Sequence, residues 1–339
     1  MKLVTYNIRY ARGLDGKSDY DRIAHAVAGG DVIALQAVER HWRRSEMADQ
    51  VALIEERLPQ HHSCYCPAFD VDASESAPDG HVTRRRRQFG TMILSRWPIR
   101  EARAHILPKL ATRQAFNMDT GALECVIASG SGPIRVFSIH LSSISVRERL
   151  LQIDHLLDLH RNARARGGSW TGEGPAQNES EWQEFLRHDW NNGEPVPEVA
   201  DKTVWMGDFN SVPEGPEYCR IVGEFDPTTG GRLLHADGLA DSWLLASPAD
   251  KDDPGHTWWP DPPDRTPGRP LRLDYCFLSP ELVPHVTGRW VDAEAQGSDD
   301  RPYWVQLSES PARVPWDRTD GLSPAADIRP ATDNAASRV

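Results

Sequence analysis

The chain has 339 residues, which is enough for one large hydrophobic core or two small ones. Its residues are 39% hydrophobic and 26% charged, as in globular proteins, and no apolar run is long enough to span a bilayer. The net charge of -12 argues against indiscriminate binding to nucleic acid or to anionic membranes. Five scattered cysteines without metal-type spacing indicate reduced core residues. The chain starts on a strand pattern with no signal-peptide segment, so we expect a cytoplasmic protein.

The first half of the chain alternates strand and helix patterns. Residues 2–6 predict a strand, and the helix that follows begins near Ser18 and Asp19, which can cap it, and ends at Gly29. The later patterns predict a buried strand over 31–36, a helix over 46–58, a strand near 62–66, a polar loop over 70–79 and a strand over 89–95. A basic run, 84–87, directly precedes the last of these strands.

The second half opens with a predicted pair of strands, over 121–128 and 134–139, and the second of them delivers His140. Between 166 and 201 the periodicity fails, which indicates an excursion with one short helix near 179–186. The other predicted elements are a helix over 146–163, a strand from Val204, a short helix after Gly215, a polar loop over 247–270, and strands over 271–277 and 303–307.

The apolar run that begins at Val204 ends abruptly in Gly-Asp-Phe-Asn, and Pro213 then prevents further strand. The pattern indicates a buried strand that delivers Asp208 and Asn210 to the carboxyl edge of a sheet, where open α/β sheets place their sites. Asp208 can hold a metal or take a proton, and Asn210 can donate to an anionic oxygen. Asp and Asn are also common turn formers, and in isolation that interpretation is the commoner one.

Seven short motifs follow one another along the chain: Tyr6-Asn7-Ile8-Arg9, Leu35-Gln36-x-Val38, Gly90-Thr91-Met92-Ile93-Leu94-Ser95-Arg96, Ile139-His140-Leu141-Ser142, Gly207-Asp208-Phe209-Asn210, Leu273-Asp274-Tyr275 and Ser298-Asp299-x-Arg301-Pro302. Together they resemble the endonuclease/exonuclease/phosphatase superfamily, the deoxyribonuclease-like group of metal-dependent phosphoesterases. The resemblance covers residues 1–309, which it predicts as one domain with 166–201 as an excursion. It implies an α/β (α+β) fold, a four-layer sandwich of two packed β-sheets flanked by helices. Residues 310–339 are predicted to be an extended or disordered tail.

The resemblance also implies which residues hold the metal and the water. Asn7 would lie around the metal ion, which is Mg²⁺ or Mn²⁺ in the family, and Asp299 would contribute a carboxylate to it. Asp208 would align or deprotonate the attacking water. Attack on a phosphodiester anion builds up further negative charge, so such a site needs a hard cation with oxygen ligands.

The remaining catalytic residues that the resemblance implies act on the phosphate. His140 and Asn210 would bond the phosphoryl oxygens, which calls for neutral or cationic donors. Asp274 would orient the residue at position 300 from behind. The predicted catalytic set is therefore His140, Asp208, Asn210, Asp274 and Asp300.

Two positions depart from the family's pattern. Its second motif reads Leu-Gln-Glu, with Glu as the principal metal ligand, but this chain has Ala37 there; Glu39 lies two residues on, about 7 Å away along a strand. Its last motif reads Ser-Asp-His, but this chain has Asp300, and a carboxylate normally cannot donate to phosphate. If Asp274 faces Asp300, the two carboxylates should titrate as a coupled pair.

Three interpretations of these departures stay open: deliberate inactivating substitutions, a natural protein that binds without turnover, or a rebuilt site in which Asp208, Asp299, Asp300 and Glu39 hold metal in another arrangement. The first is favoured for Ala37, and none is favoured for Asp300. The predicted function is metal-dependent hydrolysis of a phosphodiester or phosphomonoester, with activity of this exact sequence left open. The alternative is a non-catalytic pseudoenzyme that binds a phosphate ligand on the same fold.

Two arginines are predicted to bind substrate. Arg9 directly follows the Asn7 motif, and Arg87 ends the basic run 84–87, which is either a phosphate clamp or a solvated face. The acidic net charge favours a small phosphodiester over duplex nucleic acid as substrate, and we expect neither a membrane nor an obligate protein partner. The adjacent Trp258 and Trp259 either line a substrate pocket or pack a loop, and both interpretations remain.

Overall fold

The computed structural model of the chain describes residues 1–172, 178–188, 196–245, 253–260 and 269–311. The α-helices in those ranges are α1 (Tyr20–Val27), α2 (Gln50–Arg57), α3 (Val146–Arg161), α4 (Ala163–Arg166), α5 (Glu179–Arg187) and α6 (Pro216–Val222). The strands are β1 (Lys2–Asn7), β2 (Val32–Arg40), β3 (His62–Asp72), β4 (Glu75–Ser76), β5 (Val82–Thr83), β6 (Arg86–Ser95), β7 (Ile99–Ile106), β8 (Gly121–Ser129), β9 (Gly132–His140), β10 (Thr203–Asp208), β11 (Ala240–Asp241), β12 (Asp274–Leu278), β13 (Val286–Val291) and β14 (Tyr303–Leu307).

The strands form two large mixed sheets and a small ribbon. The first sheet has the order β13-β14-β1-β2-β6-β3, and the second has the order β11-β12-β10-β9-β8-β7. Strands β4 and β5 pair with each other as a separate two-stranded ribbon. In each large sheet the central pair is parallel, β1 with β2 and β9 with β10, and its flanking strands are antiparallel.

Three apolar layers hold these elements together. Between the two sheets the core includes Ile93, Val136 and Val204. On the outer face of the first sheet α1 and α2 pack around Ile33, and on the outer face of the second sheet α3 and α6 pack around Trp205. The order of layers is therefore helix, sheet, sheet, helix, which confirms the predicted four-layer sandwich.

A buried polar bridge links the two sheets through the glutamine of the Leu-Gln motif. Gln36 donates from Nε2 to Oγ of Ser138 over 2.9 Å, and its Oε1 accepts from Oγ1 of Thr5 over 3.2 Å. Ser138 in turn donates to the carbonyl oxygen of Leu35 over 3.2 Å. These hydrogen bonds offset the cost of burying the polar groups, so the bridge ties β1, β2 and β9 together.

The strand directions bring several motif residues to one edge of the sandwich. The parallel strands β1, β9 and β10 end at Asn7, His140 and Asp208. In the register of the second sheet, Asp208 lies opposite both His140 and Asp274. Carboxyl ends of parallel strands share an edge, and the antiparallel β12 begins at that same edge.

Local capping explains where the first two helices start. Asp19 accepts a hydrogen bond from the backbone N–H of Arg22 and caps α1, as predicted. The predicted start of the second helix, near residue 46, is wrong. Asp49 caps α2 through the N–H of Ala52, so that helix begins only at Gln50.

Besides the two-residue strands β4, β5 and β11, two longer strands lie where the sequence predicted none, and both are edge strands. β7 is the last strand of the second sheet, and β13 is the first strand of the other. In β7 burial alternates at every residue, but the inward positions Glu101, Arg103 and His105 are polar. In β13 burial alternates irregularly, and Arg289 interrupts the apolar pattern. An edge strand is half solvated, so its sequence shows a weak version of the alternation that reveals central strands.

Parts of the predicted irregular segments fall outside the described residues. Within the 166–201 excursion the short helix is confirmed as α5, but 173–177 and 189–195 are outside. The 247–270 loop is described over 253–260 and 269–270, and the predicted tail is outside from residue 312 onward. Among the helices in the described ranges, none is both long enough and apolar enough to cross a membrane.

Candidate active site

The buried carboxylate of Asp208 is the centre of the candidate site. Asn7 donates from Nδ2 to Oδ2 of Asp208 over 2.8 Å, and the backbone N–H of Asn210 donates to Oδ1 over 2.8 Å. Nε2 of His140 lies 3.6 Å from Oδ2. Three elements from both sheets thus orient one carboxylate, which is 4% exposed.

Two residues next to Asp208 have conformations that the site requires. A Cβ on Gly207 would lie 1.9 Å from the carbonyl oxygen of Ile139, so only glycine allows β10 to approach β9 this closely. Asn210 has a φ of 48°, a left-handed conformation that asparagine tolerates better than most residues. Its Nδ2 donates to the carbonyl oxygen of Leu141 over 3.0 Å, which locks the turn after β10.

Burial shifts the pKa of both Asp208 and His140 in the direction that favours the neutral side chain. Desolvation raises the pKa of Asp208, and the nearby imidazole partly opposes that shift. Desolvation also lowers the pKa of His140, while Asp208 partly opposes it. Asp208 is therefore a stronger base than an ordinary aspartate, and His140 is neutral near pH 7. The ring of Phe89 packs against that imidazole at a centroid distance of 5.9 Å.

Asp274 and Asp300 are two further buried carboxylates near Asp208. Both oxygens of Asp274 and Oδ1 of Asp300 are buried without a hydrogen-bond partner among the described residues. Burial raises the pKa of Asp274 well above its usual value, and the Asp208 charge raises it further. Burial likewise raises the pKa of Asp300, and Asp274 adds to the shift. The arrangement favours a proton or a cation between them.

The carboxylate of Asp299 is engaged by neighbouring side chains. Arg9 Nη1 lies 3.2 Å from its Oδ2, and Trp258 donates from Nε1 to that oxygen over 3.3 Å. Ser298 donates from Oγ to Oδ1 over 3.3 Å. Arg9 has a φ of 44°, and its backbone N–H donates to Oδ1 of Asn7 over 3.1 Å. A left-handed arginine persists only where contacts such as these hold it.

A family model described as "Endonuclease/Exonuclease/phosphatase family" matches residues 4–299, a span that contains all of these side chains except Asp300, which lies one residue beyond it. The chain belongs to the endonuclease/exonuclease/phosphatase family. Members of this family are generally phosphoesterase hydrolases that typically use divalent cations. No curated protein matches the chain.

Solved structures of the family share the fold. A family member from Beutenbergia cavernae DSM 12333 is 19% identical with a TM-score of 0.57, over 91% of this chain and 72% of that one. The mannosyl-6-phosphatase Bt3783 of Bacteroides thetaiotaomicron VPI-5482 is 16% identical with a TM-score of 0.52, over 91% of this chain and 99% of that one. The D. rerio TDP2 complexed with a single-strand DNA product is 16% identical with a TM-score of 0.51, over 91% and 98%.

Position 37, where the family's pattern has a glutamate, and the nearby Glu39 have the following surroundings. Ala37 lies at an irregularity in the pairing of β2 with β6 and has a φ of 56°. Glu39 is fully buried, and its Oε2 accepts from Nη2 and Nε of Arg44 over 2.7 and 3.0 Å. Burial raises the pKa of Glu39, and the Arg44 guanidinium opposes that shift. Arg44 therefore engages one oxygen of this carboxylate, while the other, Oε1, is buried without a partner among the described residues.

The donor groups do not reproduce the family's metal site. Position 37 carries a methyl group, Asp299 is paired with Arg9, and both polar ends of the Asn7 amide are hydrogen-bonded. Within the described ranges no group of three or more His, Cys, Asp or Glu residues has the arrangement to hold a metal ion. The unpartnered oxygens of Asp274 and Asp300 leave negative charge for a cation, but without the family's ligand geometry.

The structure brings most of the sequence-predicted site residues together. Asn7, His140, Asp208, Asn210 and Asp274 meet at the edge where β1, β9, β10 and β12 lie, and Asp299 and Asp300 join them from the segment before β14. Their chemical roles stay predictions. Trp258 is the site residue that the sequence left undecided, and its indole now contacts Asp299. The signal that pointed to it was an aromatic pair just before the Asp274 strand.

The two predicted substrate arginines lie in different places. Arg9 is beside Asp299 in the site itself. Arg87 lies on β6, with its guanidinium carbon 5.7 Å from the ring centroid of Trp42. Neighbouring members of the basic run have acidic partners, since Arg85 lies 3.4 Å from Glu75 and Arg86 lies 2.8 Å from an oxygen of Asp70.

Proposed function

We propose that the chain hydrolyses a phosphoester bond at Asp208, with a small phosphodiester as the preferred substrate class. The observation that carries the proposal is the carboxylate of Asp208, which is buried and oriented by Asn7, Asn210 and His140 at the carboxyl edge of the sheets. A raised pKa makes this carboxylate a stronger proton acceptor than an ordinary aspartate. The family's general phosphoesterase activity supports the same reaction type.

In the proposed reaction Asp208 takes a proton from water as the water oxygen forms a bond to phosphorus. The ester bond on the opposite side breaks, and the leaving oxygen takes a proton from solvent. Neutral His140 and cationic Arg9 face the phosphoryl oxygens and stabilise the charge that develops there. A phosphodiester thus yields a phosphomonoester and an alcohol, and no step in this scheme passes through a metal ion.

We further propose that Mg²⁺ or Mn²⁺ binds this site weakly. The family typically uses divalent cations, and the unpartnered carboxylate oxygens of Asp274 and Asp300 provide negative charge for one. The alanine at position 37 removes a ligand, and the pairing of Asp299 with Arg9 competes for another. An ion that did bind would supply positive charge to the reacting phosphate.

A small substrate is favoured over duplex nucleic acid by charge. The chain carries a net charge of -12, whereas affinity for a duplex comes largely from basic side chains that neutralise its phosphates. Among the similar structures, one is described as a mannosyl-6-phosphatase and another as a complex with a single-strand DNA product. Both phosphomonoesters and phosphodiesters therefore belong in the substrate screen.

The test is hydrolysis of bis(p-nitrophenyl) phosphate and p-nitrophenyl phosphate over a series of Mg²⁺ and Mn²⁺ concentrations. Asp208→Asn is the matched blank, because it keeps the shape of the side chain and removes its basicity. We expect the substitution to lower the rate by about 10²–10⁴-fold. A parent chain that hydrolyses neither ester faster than Asp208→Asn would refute the hydrolase proposal.

The second candidate function is binding of a phosphate ester without turnover. Ala37 and Asp300 favour it, because they occupy the positions of a metal ligand and of a phosphate donor in the family. In that case phosphate esters would raise the melting temperature of the chain, and p-nitrophenol would not be released. Thermal unfolding with and without phenyl phosphate, run beside the hydrolysis assay, separates the two functions.

A further inference from the structure

One face of the first sheet continues the candidate site outward along β6. Phe89 contacts the His140 imidazole from this face, with ring centroids 5.9 Å apart. Side chains two residues apart on a strand point to the same face, so Arg87 lies on the same side as Phe89, about 7 Å further along the backbone. On the neighbouring strand, Phe69 is the register partner of Phe89. The face of the sheet that borders His140 therefore carries Arg87 at its outer end.

An indole ring supports this arginine from beside it. Trp42 donates from Nε1 to the carbonyl oxygen of Gln88 over 2.7 Å, and its ring centroid lies 5.5 Å from that of Phe69. The guanidinium carbons of Arg87 and Arg44 lie 5.7 and 4.2 Å from the Trp42 ring. These contacts fix the ring in place, and the ring in turn positions the Arg87 guanidinium by a cation–π contact.

Arg87 has no acidic partner among the described residues, although nearby arginines have one. Arg86, on the opposite face, pairs with Asp70 at 2.8 Å, and Arg44 pairs with the buried Glu39 at 2.7 Å. Across the described ranges the Arg87 side chain forms no ion pair and no hydrogen bond, and its Nε is buried without a partner. A guanidinium is always charged and has five hydrogen-bond donors. In a half-buried guanidinium, donors that are buried without acceptors cost free energy, which an anionic ligand would recover.

We propose that Arg87, held by Trp42, is a second anion-binding site at the rim of the cleft. It takes a phosphate or carboxylate group on the part of the substrate that is remote from the scissile phosphorus. A guanidinium fork matches the two oxygens of either group, and no described carboxylate competes for it. The inference rests on the proposed function, because it assigns the outer part of that site, and it predicts a substrate with two separated anionic groups.

The experiment measures the affinity for straight-chain α,ω-diol bisphosphates, from propane to hexane, and for butyl phosphate as the single-anion reference. Calorimetric titrations are run with and without Mn²⁺. In the parent chain we expect one bisphosphate to bind about 10–100-fold more tightly than butyl phosphate, the gain typical of charged hydrogen bonds. The chain length of that ligand reports the distance between the two anion sites.

The variants Arg87→Gln and Arg86→Gln change the net charge equally but lie on opposite faces of β6. Arg87→Gln should abolish the advantage of the bisphosphate and leave the affinity for butyl phosphate unchanged, whereas Arg86→Gln should retain both. Arg87→Lys, which keeps the charge without the fork, should retain part of the advantage. Circular dichroism and thermal unfolding of each variant verify that it is folded.

The outcomes separate this inference from the proposed function. If butyl phosphate binds but no bisphosphate binds more tightly, or if the advantage survives in Arg87→Gln, the second anion site is refuted and the main site stands. If butyl phosphate does not bind, the proposed function fails at its main site. A bisphosphate that then still binds in an Arg87-dependent way would preserve the anion site, and the loss of all binding would refute both.

Discussion

The substitution Asp300→Asn should stabilise the chain at neutral and alkaline pH. The Asp300 side chain is 3% exposed, and one of its carboxylate oxygens has no hydrogen-bond partner. Burial raises the pKa of Asp300, and the nearby Asp274 raises it further. Leaving a buried charge unpaired costs about 3–5 kcal/mol, and a shared proton offsets part of this cost. We expect Asn at position 300 to recover about 1–3 kcal/mol, since it removes one charge and can donate to Asp274.

The dependence on pH follows from the raised pKa of Asp300 and Asp274. Below about pH 3 these carboxyls are protonated in both the folded and the unfolded chain, so the substitution has little effect there. As the pH rises toward the folded pKa, the unfolded chain loses its protons first, and the stability of the parent falls. Asp300→Asn should remove part of this fall, so its advantage should grow with pH and then level off.

The assay is thermal and urea unfolding of the parent and of Asp300→Asn from about pH 4 to pH 9, with chelator present to exclude cations. At about 2–4 °C per kcal/mol, the conversion for domains of roughly 150–250 residues, the melting temperature should rise by about 2–12 °C at the alkaline end. Asp292→Asn, at a half-exposed carboxylate in the same region, is the matched control. An Asp300→Asn advantage that is absent, or equal at every pH, would refute the argument from buried charge.

Three further predictions concern the metal and the buried glutamate. Calorimetric titration with Mn²⁺ should give a dissociation constant weaker than about 1 μM, and a tighter value would mean that the carboxylates rearrange into a new site. Ala37→Glu should tighten Mn²⁺ binding while turnover stays poor, and Asp300→His should raise the hydrolysis rate only at high Mn²⁺. The double variant should hydrolyse the substrate faster than either single variant by about 10²-fold or more. A double variant with the rate of the Asp208→Asn blank would contradict this prediction. Arg44→Ala should lower the free energy of unfolding by about 1–3 kcal/mol, because it leaves the buried Glu39 charge unpaired; the partial exposure of Arg44 limits the loss. Urea unfolding measures this change. Glu39→Gln in the Arg44→Ala background should restore most of the lost stability.

The amino-acid sequence by itself determined the family and the frame of the site. The motifs around Asn7, His140 and Asp208 each follow an apolar run that forms a central strand, and central strands have the strongest local pattern. Since such strands end at one edge, the positions of these residues relative to one another could be predicted without coordinates. Ala37 and Asp300 were visible in the same way, as departures within otherwise intact motifs.

Only the tertiary structure decided how the charges are paired. The sequence could not show that Arg44 takes the Glu39 carboxylate, that Arg9 takes Asp299, or that Arg87 has no acidic partner in the described chain. These results depend on burial and on how the fold places the side chains, and the hydrophobic periodicity of a segment encodes neither. Arg9 and Asp299 also lie far apart in the sequence. The edge strands β7 and β13 escaped prediction for a related reason, because their stability comes from pairing with a neighbouring strand and their own apolar pattern is weak.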